Sequence, residues 1–197
     1  STGSRLLSGQ NELAVQLESN IAKWLGKESA LLFNSGYQCN VGIIPTFYTK
    51  EDLIIADKLI HASLIDGIKL SGATLKRFTH LNYDHCEQLL KENTSKYKNI
   101  LLVTESIFSM DGDIADIKKL VQLKQQYRCN LLVDEAHAIG TCGDKGTGLA
   151  ADNIKDIDFL IGTFGKAFAS SGAYVALTKQ KKALLINQCR SFIYTTA

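Results

Sequence analysis

Ile100-Leu101-Leu102-Val103-Thr104 carries no polar side chain until its last position. A strand with one wet face alternates apolar and polar residues, whereas an unbroken apolar run marks a strand covered on both faces, as in parallel sheets flanked by helices. Working outward, short strand-like runs recur at Ser29 to Phe33, Leu53 to Ala56, Leu75 to Phe78, Asn130 to Asp134, Asp158 to Thr163 and Ala173 to Leu177. Longer stretches with helical spacing lie between them. Gln10 to Leu25 sets Leu13, Leu17, Ile21, Trp24 and Leu25 on one face, and His61 to Leu70 reads as a helix. Ile114 to Tyr127 also has helical spacing, with Asp113 as its expected N-cap. Ser35-Gly36 breaks the first strand ahead of a further helix. This alternation predicts an α/β fold: three α/β/α layers around a mostly parallel sheet.

Composition sets the class. With 45% apolar and 21% charged residues, the 197-residue chain can bury a substantial core. Pro45 is its one proline, and neither a linker nor a repeat divides it, so residues 1–197 are read as one domain. A net charge of +2 gives no reason to expect a nucleic-acid or anionic-membrane partner. No apolar run approaches the roughly 18 residues that span a bilayer. The opening Ser1-Thr2-Gly3-Ser4-Arg5 lacks the pattern of a secretory signal, so the expected location is cytoplasmic. Cys39, Cys86, Cys129, Cys142 and Cys189 are scattered without a CxxC pair, which predicts reduced thiols and no metal site.

Several expected strands run straight into unusual polar residues, and ligands bind open parallel sheets at the carboxyl ends of strands. Lys166, in Gly162-Thr163-Phe164-Gly165-Lys166-Ala167-Phe168, follows one of them. A lysine that must form an imine wants a depressed pKa and a partly desolvated position, and Gly165 lets a cofactor approach the backbone. Asp134 ends Leu131-Leu132-Val133 and opens Asp134-Glu135-Ala136-His137. A carboxylate at a buried strand end needs a cationic partner; a protonated pyridine nitrogen would serve, and so would a structural salt bridge. His137 is placed to reach the same ligand. Ser35-Gly36-Tyr37 opens a helix whose free N–H groups would cradle a phosphate, with the Thr163 hydroxyl as a second donor. The imidazole of His61 could stack on a flat ring, or cap its helix. Glu105 and Ser109 follow the Ile100 to Thr104 strand into the same crevice, and Gly112 suits a tight turn.

Asp-Glu-Ala-His is also the metal-binding box of some helicases. Those enzymes need a phosphate loop, GxxxxGK[ST], and no segment here matches it.

In order along the chain stand Gly3-Ser4-Arg5, Ser8-Gly9, Leu31-Leu32-Phe33-Asn34-Ser35-Gly36-Tyr37, Asp57-Lys58-Leu59-Ile60-His61-Ala62-Ser63-Leu64, Phe108-Ser109-Met110-Asp111-Gly112-Asp113, Val133-Asp134-Glu135-Ala136-His137, Thr163-Phe164-Gly165-Lys166 and Tyr194-Thr195-Thr196. Together they resemble the α-oxoamine synthases, a branch of the fold-type I enzymes that use pyridoxal 5'-phosphate (PLP). The resemblance implies that Lys166 forms the imine with PLP, Asp134 pairs with the pyridine nitrogen and His61 stacks on the ring. His137 would bond the phenolic oxygen, with Ser109 nearby. Amides of Gly36 and Tyr37, with Thr163, would hold the phosphate. Thr195 would reach the phosphate site of a neighbouring subunit, which implies a homodimer with its active site at the interface. The substrates implied are an amino acid and an acyl thioester.

Within that family, His61 to Gly67 and Phe108 to Asp113 look most like the branch that makes 8-amino-7-oxononanoate for biotin synthesis, and Arg77-Phe78-Thr79-His80 fits it too. The glycine C-acetyltransferase (2-amino-3-ketobutyrate CoA ligase) branch shares most of these motifs. A non-catalytic structural subunit is a third reading, against which stand Lys166, Asp134 and His137 together. Two departures matter. Ala14 stands where many members have histidine. The family also continues into a smaller C-terminal domain carrying an arginine for the amino-acid carboxylate, so these residues are expected to be the large domain of a longer chain.

Overall fold

The computed structural model describes residues 3–196. Ser1, Thr2 and Ala197, at the two ends of the motif series, lie outside the described residues. Helix α1 (Glu12–Leu25) is capped by Asn11, whose side chain accepts from the Ala14 amide at 2.8 Å. Strand β1 (Ser29–Phe33) follows, then α2 (Gly36–Phe47) with Ser35 as cap, β2 (Leu53–Asp57) and α3 (Ala62–Ser71) with His61 as cap. The chain continues through β3 (Thr74–Phe78), α4 (Tyr83–Asn93), β4 (Ile100–Glu105), α5 (Ile117–Tyr127) and β5 (Asn130–Asp134). It closes with β6 (Phe159–Thr163), β7 (Ala173–Leu177), α6 (Lys179–Gln188) and α7 (Arg190–Ile193).

The strands form one sheet in the order β1-β7-β6-β5-β4-β2-β3, in which β7 runs antiparallel to both its neighbours. The other pairings, β2 with β3 and β4, β4 with β5, and β5 with β6, are parallel. Their carboxyl ends therefore share one edge. Helix α3 connects β2 outward to β3, while α4 and α5 carry the chain back across the sheet. Right-handed crossovers then put α3, with α2 packed on it, on one face and α4 with α5 on the other. The expected three layers are present. Ile54, Leu102, Leu132 and Leu160 are fully buried between them, which is why those strands lack polar alternation.

One expected boundary is corrected. Helix α5 starts at Ile117 rather than Ile114, with Asp116 as its cap accepting from the Lys119 amide at 2.9 Å. Ile114 instead bridges Ile107, and Asp113 turns its carboxylate to His80 Nε2 at 3.1 Å.

The first motif of the chain has a structural use. Buried Glu18 accepts from Arg5 at 2.7 Å, Lys182 at 2.7 Å and the Leu32 amide at 3.0 Å. One carboxylate thus ties the N-terminal segment and α6 to α1 and β1.

Candidate active site

Glu105 and Asp134 are direct partners across β4 and β5, so two carboxylates stand side by side at the sheet edge. Both are buried, at 3% and 6% exposure. Asp134 Oδ1 accepts from the Ala136 amide at 3.0 Å, and Oδ2 accepts from Asn40 Nδ2 at 3.0 Å. It takes part in no ion pair among the described residues. Burial first, and the neighbouring Asp134 carboxylate second, push the Glu105 carboxyl up to about 7, with partial relief from the His61 backbone N–H. Among the described residues Glu105 Oε1 has no hydrogen-bond partner.

Around this pair lies a cleft of about 360 Å³. His61, Gly36, Tyr37, Thr163, His137 and Lys166 all line it, so six expected residues from four separate segments meet the two carboxylates. Burial, and then the charge of Lys166, hold the His137 imidazole below its ordinary value. Lys166 itself is exposed on the loop between β6 and β7, a more solvated position than the sequence reading asked of it. At Gly36 a Cβ would stand 2.8 Å from Thr163 Cγ2, so only glycine lets the start of α2 approach β6 this closely. The Thr163 hydroxyl oxygen is buried there without a partner among the described residues.

Two expected residues lie apart from the cleft lining. Ser109 is exposed in the turn after β4. Thr195 Oγ1 sits 3.4 Å from Asn34 Nδ2 and 3.5 Å from Gln38 Nε2. Asn40 and Ser63 are among the lining residues not foreseen, and a 2.9 Å hydrogen bond joins them between α2 and α3. The only signal for them was a polar residue inside an apolar helix face. Ala14 lines an adjoining groove with Leu17, Phe33 and Phe164, which shares Asn34 and Ser170 to Gly172 with the cleft.

The donor set fits PLP. Asp134 is a buried carboxylate lacking a cation, where a pyridinium nitrogen would supply one. The partnerless Thr163 hydroxyl and the N–H groups of α2 offer an anion site. Lys166 is free of ion pairs among the described residues and lies at the mouth.

A family model for aminotransferase class I and II matches residues 1–197. The 8-amino-7-oxononanoate synthase of Chlorobaculum parvum is 50% identical over 100% of this chain and 51% of its own length. The Francisella tularensis 8-amino-7-oxononanoate synthase structure is 37% identical over 99% of this chain and 55% of its own, with a TM-score of 0.81. The structure of a lysine-to-alanine serine palmitoyltransferase variant from S. paucimobilis with a bound PLP–myriocin aldimine is 32% identical over 100% of this chain and 51% of its own, with a TM-score of 0.94. The chain spans about half the length of the curated relatives it matches. Shape is shared across these enzymes, and the two 8-amino-7-oxononanoate synthases are more identical to this chain than that serine palmitoyltransferase is. The chain belongs to the aminotransferase class I and II family, in its branch of PLP-dependent α-oxoamine synthases.

Proposed function

We propose that the protein containing this chain joins L-alanine to a pimeloyl thioester, carried on CoA or acyl carrier protein, with loss of carbon dioxide. The products are 8-amino-7-oxononanoate and the free thiol, a step of biotin biosynthesis. The observation that carries this reading is the meeting of Lys166, Asp134, His137 and His61 in one cleft beside the open start of α2. When bound, PLP supplies an electron sink for the pair left on the amino acid's α-carbon.

The residues divide the remaining work. Lys166 Nζ would anchor the cofactor and, once displaced by substrate, move the proton at the α-carbon. Asp134 would hold the proton on the pyridine nitrogen, and its burial makes that pairing strong. His61 would cover one face of the ring. His137 would donate to the phenolic oxygen; Ser109, outside the cleft lining, could join it only after its turn moves. Gly36 and Tyr37 amides with the Thr163 hydroxyl would bind the phosphate, and Thr195 would extend to the same site in a second subunit of a homodimer. Glu105, with its carboxyl near 7, would carry a proton part of the time at neutral pH. This chemistry calls for no nucleic-acid or membrane partner; separately, no described helix is long and apolar enough to cross a membrane.

Borohydride reduction of the PLP-loaded full-length protein, followed by peptide mapping, tests the anchor. The reduced adduct should fall on Lys166, and an adduct on another lysine sinks the assignment. Turnover should follow L-alanine with a pimeloyl thioester. Turnover of glycine with an acetyl thioester instead would move the protein to the glycine C-acetyltransferase branch.

A further inference from the structure

We propose that Asn40 and Ser63 are positioning residues that couple the charge of Asp134 to the imidazole of His61, and so fix which ring nitrogen of His61 is protonated. The proposal rests on the cofactor site described above and adds two residues to it. Asp134 Oδ2, Asn40, Ser63 and His61 form a continuous chain of contacts at 3.0, 2.9 and 2.7 Å. Asn40 and Ser63 are 2% and 1% exposed, so water does not compete for the two bonds that join Asp134, Asn40 and Ser63, while His61 at the end of the chain faces the cleft.

The chain has one permitted direction. An ionised carboxylate only accepts, so the Asn40 atom facing Asp134 must be Nδ2. The same Nδ2 faces Ser63 Oγ, and because an amide nitrogen only donates, Ser63 Oγ is the acceptor there. The Ser63 hydroxyl keeps its own proton to donate to His61 Nδ1, at 2.7 Å, and the backbone contact sets that direction. The Ser63 backbone N–H reaches the same nitrogen at 3.2 Å and can only donate. Nδ1 is therefore bare in neutral His61, and the proton resides on Nε2.

Two features show that this order is built rather than incidental. Helices α2 and α3 approach so closely that a Cβ at Gly67 would stand 2.6 Å from the Asn40 carbonyl oxygen, which brings Asn40 within reach of Ser63. Asn40 Oδ1 is buried without a partner among the described residues. An apolar side chain at 40 would avoid that orphaned oxygen, so packing alone does not explain asparagine there.

Nitrogen-15 NMR of the histidine-labelled full-length protein tests this without turnover. In the cofactor-free native protein, neutral His61 should show a bare Nδ1 and a protonated Nε2. Ser63→Ala, which removes one oxygen, should shift His61 to a mixture of tautomers, and Ser63→Thr should restore the native pattern. Asn40→Ala should also mix the tautomers and raise the PLP dissociation constant about tenfold, the usual loss for one bond to a charged group. If Asn40→Ala fails to fold, Ser63→Ala carries the test. A protonated Nδ1 in the native protein, or an unchanged tautomer in Ser63→Ala, overturns the coupling. Should the native protein show the bare Nδ1 yet bind no PLP, the cofactor reading fails and the coupling stands. PLP bound on Lys166 with an unchanged Ser63→Ala tautomer sinks the coupling alone.

Discussion

Replacing Glu105 with glutamine should stabilise the cofactor-free protein at pH 8 and leave it little changed near pH 4.5. Burial and the Asp134 carboxylate raise the Glu105 carboxyl from 4.5 to about 7. The folded protein therefore keeps a proton that the unfolded chain gives up, and native stability falls as pH climbs from about 4.5, levelling off above about 7. Holding the ionised form against that difference costs about 3 kcal/mol. Solvent screening takes little from this figure, because the residue is only 3% exposed. Glutamine keeps the shape and cannot ionise, so the variant should lack this slope. Urea unfolding of both proteins at intervals between about pH 4.5 and 8 gives the difference curve. It should rise by about 1.4 kcal/mol per pH unit near the middle of the range and reach ~3 kcal/mol at the top. A difference independent of pH, or a variant less stable at pH 8, would show that Glu105 enters the folded state already ionised and refute the reasoning.

Asp158 should behave with the opposite sign. Lys124 and Lys181, at 2.8 and 2.6 Å, overcome burial and hold its carboxyl below the ordinary value. Its contribution is present above about pH 4 and lost as pH falls through the lowered value, so Asp158→Asn should cost about 2 kcal/mol at neutral pH and almost nothing in strong acid. Gly162→Ala should lower the thermal midpoint by the equivalent of about 1–3 kcal/mol, because its Cβ would stand 2.3 Å from the Tyr174 ring. An unchanged midpoint would mean that β6 and β7 shift apart freely.

The sheet was legible because burial on both faces leaves a simple mark. Ser29 to Phe33, Asn130 to Asp134 and Ala173 to Leu177 coincide with β1, β5 and β7. Helices on the rim left a weaker mark. In α6 only Leu185 is buried among several lysines, so that helix shows no strong apolar stripe. The start of α5 was misplaced because Asp113 and Asp116 can both cap a helix. The choice is made by distant groups: His80 takes Asp113, while the Tyr83 hydroxyl accepts from the Asp116 amide at 2.6 Å. The site divides in the same way. Residues at strand ends, such as Asp134 and Thr163, declare themselves by position. Asn40 and Ser63 gain meaning only when α2 lies on α3, and Ser109 lies on a turn whose orientation local spacing does not encode.

The reversed direction of β7 governs how Lys166 can move. A parallel strand in its place would need a crossover to the far edge of the sheet, leaving the lysine's segment rooted at one end. Instead residues 164–172 leave and rejoin the sheet at the same edge, and the root is closed by the Phe164 amide to the Gly172 carbonyl and the Ser170 amide to the Phe164 carbonyl, each 2.9 Å. Lys166 thus swings from a fixed pivot. Its stroke is rotation about its own four-carbon stem, so an amine displaced from its partner stays within a side chain's length and is ready to recapture it.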